Sequence, residues 1–168
     1  MKRFELLALS DDGLLELCTL SAYRASGPGG QHRNTTDSAV RLVFRDPEFP
    51  DIELVTTACE QRSQHRNRKI ALQKMRLQVA MMLREDMTPE IEQVENLKIG
   101  MKDGRYPEIV ARVFDALHVE GFQVGNAARS ISQSTGKLIR FLARDSVLWA
   151  EVNRQRQLLN LHTLKAPS

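Results

Sequence analysis

The sequence predicts an α+β fold: a small mixed or antiparallel sheet packed on a long helix, followed by a C-terminal helical segment. Three observations lead there. Residues 18–24, 40–45 and 52–57 are short β-type runs separated by connections rich in Gly and Pro. Residues 62–84 contain neither Gly nor Pro and repeat with helical period, and residues 105–165 carry further apolar stripes at helical spacing.

In order along the chain, the Met-Lys-Arg start leads into a mixed polar and apolar helix rather than the hydrophobic core of a signal peptide. No apolar run approaches a membrane span, so the expected location is cytoplasmic and no membrane partner is expected. Ser10 before Asp11 and Asp12 reads as an N-cap with an acidic first turn, and Leu14, Leu15 and Leu17 give the apolar side of a short helix over 10–17. A strand follows at 18–24. The return strands at 40–45 and 52–57 flank a turn that holds two prolines, Pro47 and Pro50. In the long helix, Leu72, Met75, Val79 and Met82 form one stripe, while Arg62, Arg66, Lys69, Gln73 and Arg76 form another about a third of a turn away. That helix is expected to pack with one face and turn the basic one outward, where ordinary solvation is the plainest role for it.

Charge divides the chain in three. Residues 1–84 hold 13 Lys and Arg against 10 Asp and Glu, residues 85–104 hold 2 against 6, and residues 105–168 hold 9 against 5. The expected organisation is a first domain over 1–84, an acidic linker over 85–104 with a short helix at 90–98, and a helical domain over 105–168. Two basic ends suit a polyanion such as RNA, although mixed surfaces of this kind also occur on proteins that bind none. In the helical domain Val110, Val113, Phe114 and Leu117 mark one stripe, and short helices near 125–132 and 136–144 precede a last one holding Val147, Leu148, Trp149, Val152 and Leu158. Ala128, Ser132 and Leu138 sit where a helix-turn-helix wants a small, a turn and a core residue, with Lys137, Arg140 and Arg144 on the second helix. A plain helical bundle accounts for that pattern more simply than DNA reading, and DNA is not the expected partner. Cys18 and Cys59 stand far apart and read as buried free thiols of a reducing compartment. His32 and His65 are isolated, so no metal site is expected.

The remaining stretch carries the chemistry. Between residues 24 and 41, three glycines and a proline fall in four positions, Gly27 to Gly30, and polar side chains follow at once in Gln31, His32, Asn34, Thr35 and Thr36. Neither a Ser-His-acid arrangement, nor Gly-x-Ser-x-Gly, nor a pair of carboxylates accompanies this loop, so a hydrolase built on it must borrow most of its catalytic apparatus. A Gly-Gly-Gln alone arises by chance in roughly a few per cent of chains this long, but this one is not alone. The run Arg24-x-Ser26-Gly27-x-Gly29-Gly30-Gln31-His32-x-Asn34-x-Thr36-Asp37-Ser38-Ala39-Val40-Arg41 resembles the catalytic-domain signature of bacterial class I peptide chain release factors and their small ribosome-rescue relatives. A second block, Glu60-x-Arg62-Ser63-Gln64-His65-x-Asn67-Arg68, resembles the other hallmark of that domain, in order and at the right distance. The resemblance covers about the first 84 residues. Thr35 stands where many relatives carry lysine and Arg33 where valine is common, which moves the loop's basic charge by two residues.

The resemblance implies a release-factor Gly-Gly-Gln domain that enters the peptidyl transferase centre of the large ribosomal subunit, where water attacks the ester of peptidyl-tRNA. It implies catalytic roles for Gly29, Gly30 and Gln31, the backbone amide of Gln31 donating to the oxyanion or the leaving 3′-oxygen. Contacts to ribosomal RNA fall to Arg24, Ser26, His32, Arg33, Asn34, Arg62, Arg66, Arg68 and Lys69. No cofactor is implied; the partners are large-subunit RNA and peptidyl-tRNA. Nothing in the 168 residues resembles a codon-reading domain, and the last residues are not a basic tail. The expectation is therefore a codon-independent hydrolase of the ribosome-rescue type, with a non-catalytic ribosome- or RNA-binding module as the alternative.

Overall fold

In the computed structural model, residues 2–23, 38–46, 50–84 and 93–167 are described. The chain divides into two compact units, residues 1–84 and 85–168.

The first unit opens with two short helices, α1 (Arg3–Ala8) and α2 (Asp11–Glu16). Ser10 caps α2 as its neighbours suggest, its Oγ accepting from the Gly13 amide at 3.1 Å. Strands β1 (Cys18–Tyr23), β2 (Ala39–Arg45) and β3 (Glu53–Ala58) form an antiparallel sheet in that order. Alternation along the strands puts Val40, Leu42 and Phe44 of β2 on one face with Leu54, Thr56 and Ala58 of β3, all buried. Helix α3 (Gln64–Met82) covers this face with Ala71, Leu72, Met75, Val79 and Ala80, and buried Thr56 donates its hydroxyl to the Ala71 carbonyl at 3.0 Å. The α+β architecture is thus the expected one, with an antiparallel sheet.

Two readings of the long helix change. Met82 is 39% exposed, because the buried row that passes through Met75 and Val79 continues four residues on at Leu83, which is fully buried. Arg76 does not face outward with the other basic residues. Its guanidinium donates to the Leu7 carbonyl at 3.2 Å and the Leu9 carbonyl at 2.8 Å, and it pairs with Asp11 at 3.0 Å. One fork therefore satisfies carbonyls at the end of α1 and anchors α2 to α3.

The second unit is helical: α4 (Tyr106–Val119), α5 (Val124–Ser130), α6 (Thr135–Ala143) and α7 (Ser146–Leu158). Helix α4 is buried along most of its length, through Tyr106, Val110, Ala111, Val113, Phe114 and Leu117. Pro107 sits in its first turn, where a missing amide costs nothing. Leu138, Phe141 and Leu142 of α6 and Leu148 and Val152 of α7 complete the core. Ala128 and Leu138 are buried, and Ser132 between their helices takes a left-handed φ of 58°. The stretch just before α4, composed like a linker, contributes Val94, Leu97 and Ile99 to this core. It is not helical over 93–98: the Val94 carbonyl accepts from Gln133 Nε2 at 2.6 Å and the Leu97 carbonyl from Arg144 at 2.7 Å, in place of intrahelical partners. Arg144 is thereby tied to its own unit. Cys18 is half-buried and Cys59 exposed, so the expectation of two buried thiols fails for Cys59; both are free. Among the described residues no helix is long and apolar enough to cross a membrane.

Buried Tyr106 stacks at a tilt on Phe141, with centroids 5.7 Å apart, and donates its hydroxyl to Asp145 at 3.1 Å. Asp145 also caps α7 by accepting from the Val147 amide at 2.9 Å. Burial first, and the Asp145 carboxylate second, push the Tyr106 phenol above its ordinary value.

Two stability predictions follow from these contacts. Replacing Arg76 with Met should lower the unfolding free energy by about 1–3 kcal/mol in urea titration, since two backbone carbonyls lose a charged donor; an unchanged midpoint would contradict the clamp. Tyr106→Phe should cost about 1–2 kcal/mol near neutral pH. A raised folded value means that the stabilisation is complete below the unfolded tyrosine value of about 10 and is lost as pH rises beyond it. The melting-temperature gap between wild type and Tyr106→Phe should therefore narrow above that pH, and a constant gap would refute the assignment.

Candidate functional site

The two strands that flank the glycine-rich stretch are paired to their very ends. Tyr23, the last residue of β1, is opposite Ala39, the first of β2. The connection between them thus leaves and re-enters at one end of the sheet, its ends about 5 Å apart as antiparallel pairing requires. Arg24, Ser26, Gly29, Gly30, Gln31, His32, Arg33 and Asn34 all belong to this connection and lie outside the described residues.

The same end of the sheet carries the start of α3. Val40, next to the connection, is opposite Ala58, the last residue of β3, and the chain then passes through Cys59 to Arg62 into the helix. Two ties fix this passage. Lys74 Nζ donates to the Thr57 carbonyl at 2.8 Å and pairs with Glu60, whose other oxygen accepts from the Cys59 amide at 2.8 Å. Burial alone would raise the Glu60 carboxyl, but the bonds from Lys74 and from the backbone amides of Glu60 and Cys59 outweigh it and hold the group below the ordinary range.

The second tie is Asn67, which is fully buried in the second turn of α3. Its Oδ1 accepts from the Gln61 amide at 2.9 Å, and its Nδ2 donates to the Gln61 carbonyl at 2.8 Å and to the Ser38 carbonyl at 2.7 Å. Two carbonyls and one amide around one carboxamide also fix which atom is nitrogen. Asn67 entered the sequence reading only as a letter of the second block. A polar residue one turn into a helix, on the side that goes on to bury Ala71, was the signal that it is structural.

Around these ties the helix start is basic. Arg62, Arg66 and Lys69 are exposed, together with His65, and Arg68 is half-buried with a buried Nε that has no hydrogen-bond partner among the described residues. Ser63 caps the helix by accepting from the Arg66 amide at 3.4 Å, and no acidic residue occupies the first turn. Cations at the end of a helix that already carries positive partial charge oppose folding by a few tenths of a kcal/mol each, and they favour an anionic ligand. Of the residues expected to contact RNA, Arg62, Arg66, Arg68 and Lys69 are the described ones, and they share the sheet end from which the connection departs. Among the described residues no cluster of His, Cys, Asp or Glu could hold a metal ion. The groups placed here can bind and position a polyanion, while candidates for bond-breaking lie on the connection.

A family model described as the RF-1 domain matches residues 15–108, which includes the whole sheet, α3 and the stretch that enters the second unit. Peptide chain release factor 1 of Acetivibrio thermocellus is 39% identical over 84 residues, 50% of this chain and 22% of that protein. Its namesake in Novosphingobium aromaticivorans is 40% identical over 84 residues, with the same coverage of 50% and 22%. A protein named peptide chain release factor 1-like, mitochondrial, of Rattus norvegicus is 38% identical over 90 residues, 54% of this chain and 22% of its own length. The match thus spans between a fifth and a quarter of each relative. With the family model covering more than half of it, this chain belongs to the class I peptide chain release factor family, whose RF-1 domain it carries.

Proposed function

We propose that the chain hydrolyses the ester of peptidyl-tRNA on the ribosome, and that it does so without reading a codon. The observation that carries the reading is the shared sheet end: the connection holding Gly29, Gly30 and Gln31 departs where Arg62, Arg66, Arg68 and Lys69 gather with no acidic residue in the first turn of their helix. In this reading the basic helix start, with Arg24, Ser26, His32, Arg33 and Asn34, rests on ribosomal RNA phosphates, by contacts that position the domain rather than specify a sequence.

The reaction then needs little from side chains. Water attacks the ester carbonyl, and the backbone N–H of Gln31 stabilises the negative charge on the oxyanion or the departing 3′-oxygen, a donor worth about 3–4 kcal/mol. The Gln31 side chain positions the water and excludes bulkier nucleophiles. Gly29 and Gly30 supply the backbone conformation, and the substrate's 2′-hydroxyl with ribosomal RNA completes the site. No cofactor takes part. Codon independence is proposed from the unit that accompanies the domain, which is built of the helices α4 to α7. Free Cys18 and Cys59 fit the cytoplasm as the compartment.

Peptide release from ribosomes stalled with and without a stop codon tests the reading. Wild type should release from both at similar rates, and Gly30→Ala should slow release by at least ~100-fold with its unfolding free energy within about 1 kcal/mol of wild type. Release only at stop codons would remove the codon-independent part. Ribosome binding without release would favour the non-catalytic module instead.

A further inference from the structure

The geometry points to Asn67 as a positioning residue for this reaction, one that transmits the seating of the basic helix start to the connection bearing Gln31. The inference rests on the proposed hydrolysis. Ser38 lies one residue before the first paired position of β2, where the ladder does not fix it. Its carbonyl accepts the shortest of the three Asn67 hydrogen bonds, 2.7 Å, across 29 residues of sequence. The same carboxamide holds both backbone groups of Gln61, two residues before the Ser63 cap of α3. The residue from which the connection returns and the turn that launches the RNA-facing helix are therefore held by one rigid planar group.

Neither the helix nor the sheet depends on this group for its own closure. The Asn67 amide is already bonded to the Ser63 carbonyl at 3.0 Å, Ser63 caps the helix, and the strands are paired to Tyr23 and Ala39. What the side chain adds is a fixed distance between them. Asparagine alone among small side chains offers one acceptor and two donors in one plane, as these three partners require. Aspartate of the same shape keeps an acceptor for the Gln61 amide and loses both donors.

Asn67→Asp and Asn67→Ala, compared with wild type at equal folded concentration, test the assignment through the split between maximal rate and half-saturating concentration. The expected result is a fall of at least 10-fold in maximal release rate with the half-saturating concentration within 3-fold, whereas Arg66→Ala should raise the half-saturating concentration. Variants that match wild type in maximal rate, or lose activity only in half-saturating concentration, overturn it. A silent wild type overturns the hydrolase reading and not the tie, which amide exchange in the wild-type protein reads independently: the Gln61 N–H and the Asn67 side-chain amide protons should exchange at least 100-fold slower than free amides. Unprotected exchange at both overturns the tie, whether or not any variant folds.

Discussion

One buried carboxamide ties the residue before β2 to the turn before α3. The sheet is closed by its ladder and the helix by its cap, and Asn67 joins the two, bonded to Ser38 on one side and to Gln61 on the other. Leaving such a group unsatisfied in the interior costs about 1–3 kcal/mol, so the three partners hold one another in register. Lys74 and Glu60 secure the same passage from the exposed side.

This division of labour suits a protein with few reactive side chains of its own. A main-chain donor can act only if its approach to the reacting atoms is determined by something larger than the residue that bears it. The helix start concentrates cations where the helix already carries positive partial charge. Folding gains nothing from that concentration, and an RNA backbone would. The helical unit is organised differently, around α4 and the Tyr106 to Asp145 bond, with Arg144 spent on the Leu97 carbonyl and Lys137 and Arg140 left exposed.

Much of this was legible in the residue order. Strand periodicity located β1, β2 and β3 to within a residue or two, because one face of the sheet is buried and alternation is then enforced. The Ser10 cap and the Gly- and Pro-free run did the same for α2 and α3. What escaped were long-range choices. Arg76 shares a helical stripe with Arg62, Arg66 and Lys69, and only the position of α1 in space diverts its guanidinium inward to the Leu7 and Leu9 carbonyls. The acidic composition before α4 suggested a linker, yet Val94, Leu97 and Ile99 are buried, because Gln133 and Arg144 supply donors that a single segment cannot display. Of the candidate site, the basic helix start was legible through the resemblance of the second block, its spacing alone reading as a solvated face, whereas the structural role of Asn67 was not, since all three of its partners come from outside its helix.

The central claim is that the backbone amide of Gln31 supplies the catalytic hydrogen bond. Replacing the peptide bond that ends at residue 31 with an ester, by semisynthesis, deletes that N–H and leaves every side chain in place. The account predicts a loss of about 100-fold or more in the rate of peptide release at saturating protein, with ribosome affinity unchanged. Release at the wild-type rate by the ester-containing protein would contradict it.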